Sequence, residues 1–290
     1  MSLWFILALS CALFTASCDA LSKRVMTEHD EWLTGTVLLG ISVLFFSPIA
    51  ASVQFKPVSF ELLVVLGAAL PLEILAYYLF LSAIRMGPLS LTVPLLAFTP
   101  VFTIVTSAVV VQERVSMTGA AGIVMVTVGA YILNGDRISR DVLAPVRAIF
   151  SNNGARRMLT VALIWSVTSS LGKKGILLYG AIPFGFVLVC GDLVIFLLIC
   201  ALRWSMGSGG ITMNRRTIAF FILGGLLMAA AEVTHFLSMS MAPVSYMISV
   251  KRLSLVFGVL LGWIVFRERN IRYRLAGSAV MVGGVFLLYE

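Results

Sequence analysis

The sequence predicts an all-α membrane protein with ten transmembrane helices arranged as two inverted five-helix repeats. Three observations predict it: a composition that water cannot accommodate, ten apolar runs of membrane-spanning length, and a gapless internal repeat with five spans per copy. Of the 290 residues, 60% are hydrophobic and only 12% charged, with mean hydropathy +1.04, whereas soluble domains carry about 25% charged residues. The solvent for such a chain is a bilayer. At roughly 20 apolar residues per crossing, the length holds about ten helices and leaves no room for a separate catalytic or sensor domain.

Apolar runs between charged or Gly/Pro breaks place the spans at 3–22, 34–53, 61–84, 89–111, 116–134, 158–178, 183–202, 217–240, 243–266 and 273–289. The first run lacks a basic flank ahead of it, so it is a poor signal peptide and is read as a membrane helix that stays. Pro94 and Pro100 are expected to bend the fourth span, because proline removes a backbone donor and clashes with the preceding turn. Gly258 and Gly262 form a GxxxG in the ninth, a pattern that permits close helix packing. Residues 135–157 are the one long polar stretch, with Val142, Val146 and Ile149 at helical spacing; they read as a linker carrying a short interfacial helix. The linker separates residues 1–134 from 158–290.

These two segments are copies. A shift of 155 residues aligns Ala76–Leu133 with Ala231–Leu288 without a gap, and thirteen positions are identical. The identities fall at structural punctuation: Pro88 with Pro243, Glu113-Arg114 with Glu268-Arg269, Gly122 with Gly277, Gly129 with Gly284. Because five is odd, the second copy enters the membrane in the opposite sense, as in folds that open alternately to either side.

Pro88…Pro100…Gln112-Glu113-Arg114…Gly122…Gly129, repeated as Pro243…Arg267-Glu268-Arg269…Gly277…Gly284, resembles the paired EamA-type units of the drug/metabolite transporter superfamily. That resemblance covers the chain and implies two inverted halves around a central cavity, serving small metabolites or drugs. The Lys251-Arg252 dipeptide in the ninth span is also similar to one in plastid phosphate translocators, distant members of that superfamily. Those proteins carry a further lysine in the fourth helix, where this chain has the apolar Leu96 and Ala97.

Ionisable groups inside a span cost a few kcal/mol each, about 2.5–3.5 on insertion scales, so they demand a partner or a purpose. Counting 1.5 Å per residue from the face where the ninth span begins, Lys173, Glu232, Lys251, Arg252, Asp192 and Glu73 fall between about 8 and 18 Å deep, with Asp19 alone near 24 Å. The shared depth predicts one polar cavity. Lys251 and Arg252 point about 100° apart on a helix and can hold one anion from two directions, arginine as a planar fork and lysine as a point charge. Asp192, Glu232, Lys173 and Tyr77 complete the expected substrate site. Glu232, Glu73 and His235 are the expected proton-coupling groups, His235 lying one turn from Glu232.

The expected function is secondary transport of small organic metabolites by alternating access, with anionic cargo, phosphorylated or carboxylated. The alternative is an amino-acid or drug exporter in which Glu232 and Asp192 neutralise Lys251 and Arg252. A membrane enzyme acting on lipid-linked substrate ranks below both, since the chain has two histidines, no CxxC and no clustered Asp-rich metal motif. No catalytic residue, metal or cofactor is expected. The expected partners are a small solute and the lipid bilayer, not nucleic acid, despite a formal charge of +8. The protein is expected as a monomer or homodimer in a bacterial plasma (inner) membrane.

Loops following odd-numbered spans hold fifteen Lys and Arg residues, against four on the other side. The positive-inside rule therefore places both termini outside the cytoplasm. A reporter fused after Glu290 that is active only outside the cytoplasm should be active; activity of a cytoplasm-only reporter there would reverse the orientation.

Overall fold

The computed structural model describes residues 2–26, 29–86, 93–133, 152–205, 214–258, 260 and 272–289. Among the described residues there are ten α-helices: α1 (Leu3–Val25), α2 (Glu31–Ala51), α3 (Phe60–Met86), α4 (Thr99–Val110), α5 (Met117–Leu133), α6 (Asn153–Tyr179), α7 (Ala181–Ser205), α8 (Arg215–Met241), α9 (Val244–Lys251) and α10 (Arg272–Tyr289). Each overlaps one span expected from the apolar runs. Six of them, α1–α3 and α6–α8, are long and apolar enough to cross a membrane, while α4, α5 and α10 lie in shorter apolar helices. Pro88, Gly262, Glu268-Arg269 and the expected interfacial helix around Val142–Ile149 lie outside the described residues.

Helix starts follow side-chain chemistry. Asp30 accepts from the Trp32 amide at 2.7 Å, Asn152 from Gly154 and Ala155, and Asn214 from Thr217 at 2.8 Å. Each satisfies amides that have no partner within the helix. The Asn152 cap also corrects the linker boundary: α6 begins at Asn153, so residues 153–157 belong to the helix.

The fourth and ninth spans both depart from α-helix within their expected lengths. A 3-10 turn over Val93–Phe98 precedes α4, whose second residue is Pro100. The helix α9 stops at Lys251, with a turn at Arg252 and Leu253, and residues 254–258 are helical again. The two interruptions fall at corresponding places under the 155-residue shift.

Between α5 and α10 lies the closest crossing. A Cβ placed on Gly122 would meet the Gly284 carbonyl oxygen at 2.7 Å, and one on Gly129 the Gly277 oxygen at 2.8 Å. The helices run antiparallel, and these two contacts exchange under the 155-residue shift. Only glycine lets backbones approach this closely. Gly258, in contrast, has no atom of a described residue within 4 Å of its Cβ position, and its partner in the GxxxG, Gly262, lies outside the described residues.

The other main packing partners cross between the halves: α1 lies on α8, α3 on α6, and α2 on α7 and α8. Alternation of the helices puts the C-terminal ends of α1, α3, α5 and α7 at one end, called the basic end below because the sequence around those helix ends holds most of the Lys and Arg residues. The connections after α2, α4, α6 and α8 gather at the far end.

Gly129→Ala and Gly277→Ala each drive a methyl group into the opposing backbone, and overpacking of this kind costs about 1–3 kcal/mol. Both should lower the thermal unfolding midpoint in detergent, whereas Gly67→Ala, with nothing within 4 Å of its Cβ position, should not. Equal midpoints for all three would refute the crossing.

Candidate functional site

A cavity of about 270 Å³ lies between α1, α2, α3, α7, α8 and the end of α9. Helical periodicity shapes its wall. Thr15, Cys18, Asp19 and Ser22 form one i, i+3, i+4, i+7 stripe of α1; Glu73 and Tyr77 lie one turn apart on α3, Asp192 and Phe196 on α7, Met228 and Glu232 on α8. Counting the helical rise from the basic end, Ser22 and Gly35 lie about 5–6 Å in and Glu73 and Asp192 about 20 Å in. The cavity thus runs from near the basic end to the middle of the bundle.

Four carboxylates, Asp19, Glu73, Asp192 and Glu232, line it against one lysine, Lys251. Asp19 is exposed and the other three are half-buried. One Asp192 carboxylate oxygen is buried with no hydrogen-bond partner among the described residues. The Tyr77 ring meets Phe196 edge-on, with centroids 5.0 Å apart, so an aromatic corner stands beside the acids.

The expected site residues divide into three groups. Lys251, Glu232, Asp192, Glu73 and Tyr77 meet in the cavity. Arg252 and His235 stand beside it, and Lys173 belongs elsewhere.

The two basic neighbours face different partners. Lys251 approaches His235 Nδ1 at 3.3 Å; an ammonium only donates, so Nδ1 accepts and the ring proton sits on Nε2. Arg252 turns the other way and donates to Thr99 Oγ1, the first residue of α4, at 2.8 Å. The pair therefore does not grip one point from two sides. The expected Asp192–Arg252 and Glu232–Lys251 ion pairs are also absent among the described residues.

Asp19, which the depth count set apart, lines the same cavity as the other acids. A count along single helices assigns each residue one depth and misses a cavity elongated along them. The polar stripe of α1 was the signal that could have found it.

Lys173 is not among the cavity-lining residues. Its buried ammonium donates to the carbonyls of Met239 at 2.6 Å and Ala242 at 2.9 Å, where α8 ends, and lies 3.6 Å from Glu113 Oε1. The other oxygen, Glu113 Oε2, accepts from the Val244 amide at 2.8 Å, capping α9. Preceding it, Gln112 adopts φ +58°. That left-handed conformation costs a non-glycine residue about 1–3 kcal/mol and here turns the chain so that Glu113 reaches the other half. Nearby, Lys174 meets Glu61 at 3.1 Å on the surface.

Trp165 packs on Phe80 and Tyr78 stacks on Trp32; neither lines the cavity. No group of three or more potential metal ligands occurs among the described residues.

The Arg252–Thr99 contact ties the break in the ninth span to the start of α4. Thr99→Val removes the acceptor at nearly constant volume and leaves a cation's donor unmet, a loss of about 1–3 kcal/mol. The unfolding midpoint should fall; an unchanged midpoint would show that the contact carries no weight.

Comparison with known proteins agrees with this architecture. Residues 2–135 match the EamA-like transporter family. No curated protein matches the chain. A protein of solved crystal structure shares the fold at TM-score 0.78, with 17% identity over 98% of this chain and 95% of that one. The chain is an integral membrane protein, and over residues 2–135 it is similar to the EamA-like transporter family.

Proposed function

We propose that the protein is a secondary transporter moving small amine-bearing solutes, of the amino-acid or drug class, by alternating access through the carboxylate-lined cavity. One observation carries the reading: four carboxylates against a single lysine around one cavity. An unneutralised excess of acids inside an apolar bundle is costly, and a cargo ammonium relieves it. Lys251 stands where it can meet the carboxylate of a zwitterion. The volume, about 270 Å³, lies just below the low end of ligand pockets, about 300 Å³, and so limits the cargo to a small metabolite of amino-acid size.

The anionic-cargo reading rests on Lys251 and Arg252 acting together. Arg252 is engaged with Thr99 and lies outside the cavity wall, which favours the amine reading. Alternating access is supported by the crossed glycine contacts of α5 and α10 and by the matching interruptions of the fourth and ninth spans. It is supported again by Tyr77 and Glu232, equivalent under the repeat and both on the cavity wall. Residues 1–134 and 158–290 are then the two inverted units, in a bacterial inner membrane.

Glu232 and Glu73 are proposed to carry the coupling proton, because a proton and a cargo ammonium compete for the same oxygens. His235 backs Lys251 and sets how strongly that lysine offsets the acids.

Purified protein should be titrated with a primary amine such as phenethylamine, a zwitterion such as leucine, and glucose 6-phosphate. Mass action raises stability by about 2.7 kcal/mol at 100 times Kd. The amine or the zwitterion should raise the unfolding midpoint, and Asp192→Asn with Glu73→Gln should abolish the shift. Stabilisation by the phosphate alone would favour the anionic cargo. In liposomes, an imposed pH gradient should drive uptake of the stabilising solute at least several-fold; indifference to the gradient would remove the proton role.

A further inference from the structure

Lys173, Glu113 and the motif that presents Glu113 are outside the cavity, yet they join the two halves at one end. Glu113 comes from the α4–α5 connection of the first half. It caps α9 and pairs with Lys173 of α6, both in the second half. Lys173 in turn satisfies the Met239 and Ala242 carbonyls at the α8–α9 connection. One carboxylate and one ammonium thus hold three elements of the second half against one of the first.

The surroundings share this character. Phe55 of the α2–α3 connection meets Tyr179 edge-on at 6.1 Å and Phe186 at 6.4 Å. The Tyr246 hydroxyl of α9 bonds Ser116 at 3.0 Å and packs on Gly119, where a side chain would displace it. Glu61 meets Lys174. Every one of these contacts joins the first half to the second at the far end. Between that end and the cavity, Phe184, Phe236 and Met239 fill the core and are buried. At the basic end Asp30 pairs with Arg203, with side chains 39% and 44% exposed; such pairs contribute little.

We propose that the Glu113–Lys173 pair is the lock of the far gate: it holds that end closed in this conformation and parts when the cavity opens there. The proposal rests on the alternating-access reading above. A buried, hydrogen-bonded pair suits a lock better than apolar packing would. Breaking it on one side leaves charges and carbonyls unmet, so the gate is either fully seated or fully open. Glu61–Lys174, with side chains 56% and 38% exposed, is a surface pair that adds little and separates readily. The left-handed Gln112 fits a segment placed by function at the expense of local comfort.

The test reads opening directly and needs no cargo. Cys18 lines the cavity; in a variant retaining it alone, with Cys11, Cys190 and Cys200 changed to Ala, it reports access. In proteoliposomes, a membrane-impermeant maleimide applied from the far end should label Cys18 slowly. With Glu113→Gln added, labelling from that end should rise at least tenfold and labelling from the basic end should fall. Unchanged labelling from both ends in a variant that remains monodisperse would overturn the lock. If Glu113→Gln does not fold, cross-linking decides. In a background without native cysteines, Glu61→Cys and Lys174→Cys joined by a short bis-maleimide should stop uptake of the stabilising solute while its binding persists. Undiminished uptake after cross-linking would overturn the proposal. Absence of any uptake before cross-linking would count against the transport reading, while the labelling experiment would still decide whether the gate exists.

Discussion

In hydrocarbon every backbone amide and carbonyl must find its partner within the protein, and every charge must find a partner or water. The first demand makes the chain helical throughout its described spans. The second decides where helices are allowed to break. Ahead of α4 the chain takes a 3-10 turn; the break after α9 lies where Arg252 reaches Thr99. The α8–α9 junction exposes carbonyls that Lys173 satisfies and an amide that Glu113 satisfies. Irregular backbone appears where side chains of another element complete it.

The same demand separates two kinds of buried charge. Lys173 and Glu113 are saturated by near neighbours, which gives them the character of structural and gating groups. Asp19, Glu73, Asp192 and Glu232 share one hollow whose lining holds a single cation, Lys251. A set of acids left with such an imbalance is unstable until something positive joins it, and a proton or an ammonium answers equally well. Cargo recognition and energy coupling then draw on the same oxygens.

The helices were legible in the sequence because apolar length is a strong signal that needs no tertiary knowledge. Gly122, Gly129, Gly277 and Gly284 were legible as repeats, although their crossed pairing across α5 and α10 became visible only in three dimensions. Most of the cavity acids were legible as charges in apolar runs. What sequence reasoning missed was direction. Lys251 and Arg252 are adjacent in sequence, but the turn at Arg252 sends their side chains to different elements. Lys173 sits at the expected depth, yet it faces a helix junction. Asp19 belonged to a polar stripe that a depth count could not register. Depth along a helix follows from residue number alone, whereas facing depends on tilt, breaks and neighbours.

The central claim is that the four carboxylates receive a positively charged group. An experimental structure with a bromine-labelled primary amine tests it most directly, because the heavy atom marks the ligand unambiguously. The account predicts ligand density inside the cavity, with the ammonium among Asp19, Glu73, Asp192 and Glu232 and the aromatic part against Tyr77 and Phe196. An amine absent from the cavity, with a phosphorylated ligand bound across Lys251 and Arg252 instead, would contradict it.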